Sequence, residues 1–335
     1  MSKYKPPFHV TDRIVSLIAE ISEQVGRITV LQEGTMSPRL RRENRIRTIH
    51  SSLAIEHNSL SLGQVTAILD GKRVLGNPNE IKEVQNAYEA YEMMLRLDPL
   101  SEDDLLKAHM LMMNGLISEN GRFRSGGVGV FEGEALVHMA PPAKFVPEHI
   151  HNLFVWYEQS ELHPLIKSAV FHYEFEFIHP FADGNGRLGR MWHSLLLGNW
   201  KELFFWLPME ELIQSRQSEY YETLGAADRQ ADSAGFVELM LEIIRDSLLE
   251  ITVVGRNTDQ DSDQVTDQDK VPIKRLLSVL GDETLSAAEL MERLGLSHRP
   301  TFRKNYLNPA LKQKLIERTI PDKPNSKNQK YQKSR

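Results

Sequence analysis

The sequence predicts a mainly α protein that carries one β-hairpin and a small C-terminal domain of winged helix-turn-helix type. Three observations predict it. Apolar residues recur at helical spacing behind polar caps through most of the chain. The alternation expected of strands is confined to RSGGVGVFEGEALVHM, residues 124–139. Lastly, the aspartate-rich run NTDQDSDQVTDQD, residues 257–269, cannot contribute to a core, and it separates the long helical part from a basic tail.

The first helix starts behind Thr11, where Ile14, Leu17, Ile18, Ile21 and Val25 keep one face apolar. A second begins near Ser37 and Pro38 and runs through RLRRENRIRTIHSSLAIEHN. A third is announced at Ser61, where SLGQ has the spacing of a capping box. Further helices are expected over 80–97, over 101–117 behind the capping box SEDD, over 147–160 with Pro147 in the first turn, and over 164–178. The hairpin turns around FEGEA, and a helix through RLGRMWHSLLL follows residues 184–186. In the tail, Ser286 and Glu289 make another capping box and Gly295 ends a short helix. Ser297 caps a second one carrying Arg299, Arg303 and Lys304, with KLIERTIPDKPNSKNQKYQ as a wing. The expected division is 1–100 as an N-terminal helical region, 101–252 as a core, 253–270 as an acidic linker and 271–335 as the winged domain.

The composition, 41% hydrophobic and 26% charged with a net charge of −6, suits a globular protein of two or three domains. Nothing in that balance argues for wholesale nucleic-acid or anionic-membrane binding, so basic character has to be local. From Lys270 onward 15 basic residues face 6 acidic ones, a balance of +9, while the rest of the chain carries 25 against 40. No cysteine is present, which excludes disulfides, thiolate zinc sites and a cysteine nucleophile and fits a cytoplasmic protein. MSKYKPPFHV lacks an apolar leader core, and LLLGNWKELFFWL is cut by Lys201 and Glu202, so no membrane association is expected.

The chemistry concentrates in HPFADGNGRLGR, residues 179–190. Its GNGRLG fits the G-x-G-x-x-G spacing of a dinucleotide fold, yet the strand that fold needs is replaced by HYEFEFIHPFAD, although Glu210 and Glu211 stand about where its ribose-binding acid would. A Walker loop is absent too, since the Gly-Lys of DGKRV is followed by Arg. The residues read better as a phosphate cradle. Gly184, Asn185 and Gly186 precede a helix, so their backbone N–H groups can converge on an anion. Arg187 and Arg190 place two planar donors on one side of its first turn. Asp183 can hold Mg²⁺ beside bound phosphates, and His179, at the end of the preceding helix, suits a general base. Together these parts describe nucleotidyl transfer.

HPFADGNGRLGR matches the HPFx[DE]GNGRxxR signature of the Fic family (filamentation induced by cyclic AMP), which the chain resembles over about residues 10–245. NGRFRSGGVGVFEGEALVHMAPP is similar to that family's flap hairpin, SSLAIEHN to its inhibitory motif [ST]xxxE[GN], and SEYYETLGAADRQAD to a segment that helps enclose the nucleotide. The resemblance implies transfer of AMP from ATP, with Mg²⁺, to a Ser, Thr or Tyr hydroxyl of a target protein or of the chain itself. It implies His179 as base, Asp183 as metal ligand, and Gly184, Asn185, Gly186, Arg187, Leu188, Gly189 and Arg190 as the ATP-binding segment, with Tyr220 and Tyr221 beside the nucleotide. Val128, Gly129, Val130 and Phe131 would dock an extended target segment, and Glu56 would pair with Arg190 and hold the enzyme at rest. The pattern departs at His57, where the family has Gly or Asn, and at Asp228, where some relatives carry Asn.

Phe181 reads as a core anchor of the loop and His172 as a core histidine. The tail resembles winged modules attached to some Fic proteins; DNA contact, protein docking and homodimerisation through residues 271–335 all stay open. Two other functions fit the same residues: removal of AMP from a modified protein, and a DNA-binding regulator whose core senses nucleotide.

Overall fold

The computed structural model describes residues 4–31, 37–132, 135–258, 270–281, 283–294, 296, 302–312, 315–320 and 329–333. The chain divides into a larger unit, Met1–Thr252, and a smaller one, Val253–Arg335. In the larger unit the helices are α1 (Asp12–Leu31), α2 (Pro38–Ile55), α3 (Leu62–Leu69), α4 (Pro78–Met94), α5 (Glu102–Met112), α6 (Val146–Gln159), α7 (Pro164–Ile178), α8 (Asn185–Trp200), α9 (Met209–Ser215), α10 (Gln217–Gln230) and most of α11 (Ala234–Thr258). The expected hairpin is β1 (Gly129–Glu132) paired antiparallel with β2 (Ala135–Met139).

The caps read from the sequence start these helices. Thr11 Oγ1 accepts the Ile14 N–H at 3.1 Å, Ser101 Oγ that of Asp104 at 3.2 Å, and Ser61 and Gln64 close a full capping box. Helix α5 ends at Met112, short of the expected residue 117, because the chain reverses at Gly115 with φ 72°. Helix α11 continues to Thr258, past the boundary between the two units at Thr252 and into the residues expected as linker; residues 259–269 lie outside the described residues.

Helices α7 and α8 form the centre. Along α8, Leu188, Met191, Trp192 and Leu195 are fully buried, as are Leu165, Ala169, Val170 and Phe175 of α7. Gly189 of α8 lies directly against α7: a Cβ there would strike the Glu176 carboxylate and come within 3.1 Å of the Phe175 ring. Being surrounded, α7 also buries polar side chains, among them His172 and Glu174.

Glu174 receives the N-terminal segment: Tyr4 Oη donates to its Oε2 at 2.6 Å, and the N–H of Ser233 donates to Pro7 O at 2.9 Å. The second oxygen, Oε1, is buried without a partner, and burial pushes the carboxyl up from 4.5 to about 7. A folded-state pKa above the unfolded one means that the ionised carboxyl costs stability, from nothing below pH 4.5 to its full value above about 7. Glu174→Gln is expected to stabilise the fold by about 1–3 kcal/mol at pH 8 and to lose that advantage at pH 4.5; thermal melts across this range check it.

The smaller unit contains α12 (Lys270–Leu280), α13 (Ala287–Leu294), a π-helical turn over Arg303–Leu307 and a short helix over Asn308–Lys312. Strands β3 (Leu285–Ser286), β4 (Ile316–Arg318) and β5 (Lys330–Lys333) form an antiparallel sheet in the order β3-β5-β4. Leu276, Leu280, Leu290, Phe302, Ile316 and Tyr331 make its core. The capping box at Ser286 and Glu289 is present and the expected wing falls on β4 and β5. Gly295, Ser297 and Arg299 lie outside the described residues, and Arg303 and Lys304 sit in the π-helical turn. Among the described residues no helix is long and apolar enough to cross a membrane.

Candidate active site

The site is the bend between α7 and α8. Helix α7 stops because its cap, His179, takes the left-handed conformation (φ 49°, ψ 63°) while its N–H still donates to Phe175 O at 2.9 Å. The imidazole Nδ1 lies 3.3 Å from Glu176 O. A carbonyl only accepts, so this contact places the proton on Nδ1 and the lone pair on Nε2.

The loop after His179 is held by partners far away in the sequence. Phe181 is fully buried, its ring stacked on His109 at 3.8 Å, as expected of an anchor. Asn185, 2% exposed, both accepts from Phe181 N–H at 2.8 Å and donates to Phe181 O at 2.9 Å, so its amide serves the loop and its backbone serves the cradle. His109 Nδ1 accepts from Gly121 N–H at 2.9 Å and Nε2 donates to Asp183 O at 3.0 Å. Burial pushes the His109 pKa down to about 4, which keeps the neutral tautomer that both bonds need. Arg124, also buried, donates to the carbonyls of Ile178 and His179. Neither His109 nor Arg124 was foreseen from the sequence, since their partners are peptide groups and leave no side-chain pattern to read.

Gly184 caps α8 in the left-handed region (φ 83°), where a Cβ would also meet Met113 Sδ at 2.6 Å. The N–H groups of the first turn that follows, from Asn185 to Arg187, have no acceptor within their helix and are suited to bind an anion. Asp183 Oδ1 accepts from Gly184 N–H at 2.5 Å and Arg187 Nη2 at 3.2 Å, and more than half of its side chain remains exposed. Arg187 also reaches Glu83 Oε1 at 3.4 Å, while its Nε is buried without a partner. A buried guanidinium with an unused donor beside free helix-start amides fits a polyanion.

Arg190 is sealed, with a side chain 1% exposed. It donates to Glu56 Oε1 at 2.8 Å, to Ser52 O at 2.9 Å and to Ser52 Oγ at 3.2 Å. Burial works against the Glu56 carboxylate, but the charge and hydrogen bond of Arg190 outweigh it and hold its pKa below the ordinary value. The Arg190 guanidinium is held correspondingly up. Glu56 caps α2 and lies over the cradle: a Cβ on Gly186 would meet its Oε1 at 2.5 Å. His57 follows with φ 68°, a conformation that Gly or Asn adopts at lower cost.

The two tyrosines separate. Tyr220 is 1% exposed with its hydroxyl 2.9 Å from His172 Nε2, which places both in the core, whereas Tyr221 is half-buried against it. Glu176, whose Oε1 is buried without a partner, has a carboxyl pushed up to about 8 by burial. Asp228 accepts from Tyr173 Oη at 2.7 Å. In the hairpin Gly129 pairs with Met139, Val130 with His138, Phe131 with Leu136 and Glu132 with Ala135, with a bulge between Val130 and Phe131; Val128 O accepts from Ala140 N–H at 3.2 Å. Among the described residues no group of three or more His, Asp or Glu side chains could hold a metal by itself. Asp183, a single accessible carboxylate beside a phosphate cradle, suits Mg²⁺, which takes one or two acidic ligands and completes its shell with phosphate oxygens and water.

Residues 99–197 match the family model described as Fic/DOC family, and residues 271–334 that of the Fic-like C-terminal domain of filamentation induced by cAMP proteins. A solved structure of a Fic family protein from Desulfovibrio desulfuricans G20 is 56% identical, covers 99% of this chain and 98% of its own, and superposes with a TM-score of 0.73. The protein adenylyltransferase fic-1 of Caenorhabditis elegans is 29% identical over 212 residues, 59% of this chain and 39% of that protein. Protein adenylyltransferase Fic of Nematostella vectensis is 26% identical over 194 residues, 54% of this chain and 44% of its own. The chain thus spans about two fifths of the length of the curated relatives it matches. The structure of Fic-1 from C. elegans, 23% identical with a TM-score of 0.58, shares the fold.

Proposed function

The chain belongs to the Fic family, and from that premise we propose that it is a protein adenylyltransferase held at rest by Glu56. The observation that carries the reading is the 2.8 Å pair between Glu56 and Arg190, set directly over Gly186 at the mouth of the cradle. That carboxylate takes the guanidinium a triphosphate needs, so transfer requires its departure.

With Glu56 withdrawn, the amides of Asn185 and Gly186 and the guanidinium groups of Arg187 and Arg190 hold the phosphate chain of ATP. Asp183 would hold Mg²⁺, whose charge offsets that of the phosphates when bound. The hydroxyl of a Ser, Thr or Tyr in the target attacks the α-phosphorus, the bond from that phosphorus to the bridging β-oxygen breaks, and pyrophosphate leaves. His179 Nε2 takes the hydroxyl proton, while Nδ1–H, resting on Glu176 O, keeps the ring oriented. An edge of the hairpin offers main-chain partners to an extended target segment at Val128 to Phe131.

Incubation with ATP and Mg²⁺ followed by intact-mass analysis tests the function. The expected product is the protein carrying one AMP per modified hydroxyl, at a low level for the native chain and a higher one after Glu56→Gly. Loss of pyrophosphate without a mass increase would point to hydrolysis instead, and no reaction in a folded Glu56→Gly protein would exclude the assignment.

A further inference from the structure

Arg124 is 3% exposed, and every hydrogen bond of its guanidinium among the described residues ends on a main-chain carbonyl. Nε donates to His179 O at 2.7 Å, Nη2 to Ile178 O at 3.2 Å and to Pro141 O at 2.6 Å, and Nη1 to Gly126 O at 2.8 Å. The backbone N–H of the same residue donates to Pro180 O at 3.0 Å. Residue 124 therefore binds three consecutive carbonyls at the end of α7, groups that a helix terminus leaves without helical donors. A cation is favoured there by the negative end of the helix dipole.

The other two acceptors lie elsewhere in the chain. Gly126 precedes β1 and Pro141 follows β2, so they are the two feet of the hairpin. One planar, rigid group thus ties both feet to the residue that carries the imidazole. A lysine at 124 supplies the charge but not four donors fixed in one plane. Stabilising the end of α7 would need only contacts to residues 178–180; the bonds to Gly126 and Pro141 have no part in that.

We propose that Arg124 is a positioning residue that sets the hairpin at a fixed place relative to His179, so that a target strand laid on the hairpin presents its hydroxyl to the base. The inference rests on the transfer reading above. It assigns Arg124 no contact with ATP, so its loss acts on the transfer step and leaves nucleotide binding alone. Reacting groups displaced by about 1 Å can cost about 100-fold in rate.

The test uses the full chain with Glu56→Gly as parent and self-modification by ATP and Mg²⁺, followed by intact mass, as readout. Adding Arg124→Lys is expected to lower kcat by about 10- to 100-fold with KM for ATP within about twofold of the parent. In the more severe Arg124→Ala, millimolar guanidinium chloride is expected to restore the rate at least about tenfold by filling the carbonyl-lined gap, whereas tetramethylammonium chloride is not. Amide hydrogen exchange of the native chain and of Arg124→Lys alone supplies a measurement independent of catalysis. Exchange over residues 126–132 and 179–181 should quicken together in the lysine variant. A lysine variant with the parent's kcat, or a rate loss matched by an equal rise in KM for ATP and unrelieved by guanidinium, would overturn the proposal. So would unchanged exchange. If the parent transfers no AMP while exchange still responds, the function assigned above fails and the structural coupling stands.

Discussion

Glu56→Gly is expected to raise the rate of AMP transfer by at least about tenfold, because it removes the carboxylate that pairs with Arg190 in the place proposed for a triphosphate. The competitor is persistent. Arg190 holds the Glu56 pKa below the ordinary carboxyl range, so the carboxylate stays ionised throughout neutral pH and proton uptake is not expected to release Arg190 there. Removing it has a cost. Breaking a fully buried ion pair destabilises by about 3–5 kcal/mol, and here the figure is smaller because the Glu56 side chain is 33% exposed and Arg190 keeps Ser52 O and Oγ as acceptors. Residue 56 ends α2 at φ −93° and ψ 24°, a conformation open to any residue, so glycine adds only its greater unfolded-chain entropy, about 0.5–1 kcal/mol. The free variant should therefore melt at a lower temperature than the native chain, and saturating ATP with Mg²⁺ should recover most of the difference, because ligand at about 100 times its dissociation constant stabilises by about 2.7 kcal/mol. A larger ATP-induced shift in the variant than in the native chain, together with faster mass gain, is the expected pair of results. Equal rates in a well-folded variant would remove Glu56 from the regulatory role.

Much of this site could be read in the sequence because its chemistry is compressed into neighbouring residues. His179, Asp183, Gly184, Gly186, Arg187 and Arg190 fall within twelve positions, so one bend between two helices brings them together, although His109 and Arg124 from elsewhere in the chain hold that bend. Glu56 lies 134 residues from Arg190, and only a resemblance suggested the pair that the structure shows. The groups that hold the loop left no such trace. Arg124 and His109 bind peptide carbonyls and amides, which every residue carries, so nothing in their neighbours' identities announces the contact. Tyr220 and Tyr221 show the opposite difficulty: adjacent in sequence, they point in different directions from α10, and helical periodicity alone does not say which of two neighbours faces the core. At the fold level, caps located helix starts well, while helix ends depended on turns such as that at Gly115. A helix end is fixed by what packs beyond it, and that information is tertiary.

Loss of the imidazole at residue 179 is expected to lower AMP transfer by about 100- to 10,000-fold, the range general base catalysis contributes, while ATP binds as before. The choice of substitution decides whether the result can be interpreted. His179 sits at φ 49° and ψ 63°, and its carbonyl accepts from Arg124, so alanine adds the strain of a left-handed backbone without changing that bond. Asparagine tolerates the left-handed region and cannot act as a base near neutral pH, which makes His179→Asn the cleaner probe and His179→Ala its control. The residues proposed to bind phosphate begin only at Gly184, and the loop between is held by Asn185 and His109 rather than by the His179 imidazole. Calorimetric affinity for ATP should therefore stay within about twofold of the parent while the rate collapses, since a group that acts only in the transfer step affects kcat and not ground-state binding. Measured in the Glu56→Gly background, a variant that binds ATP and still transfers AMP at the parent's rate would mean that the target hydroxyl loses its proton elsewhere. A variant that loses ATP affinity in step with rate would make His179 part of the cradle.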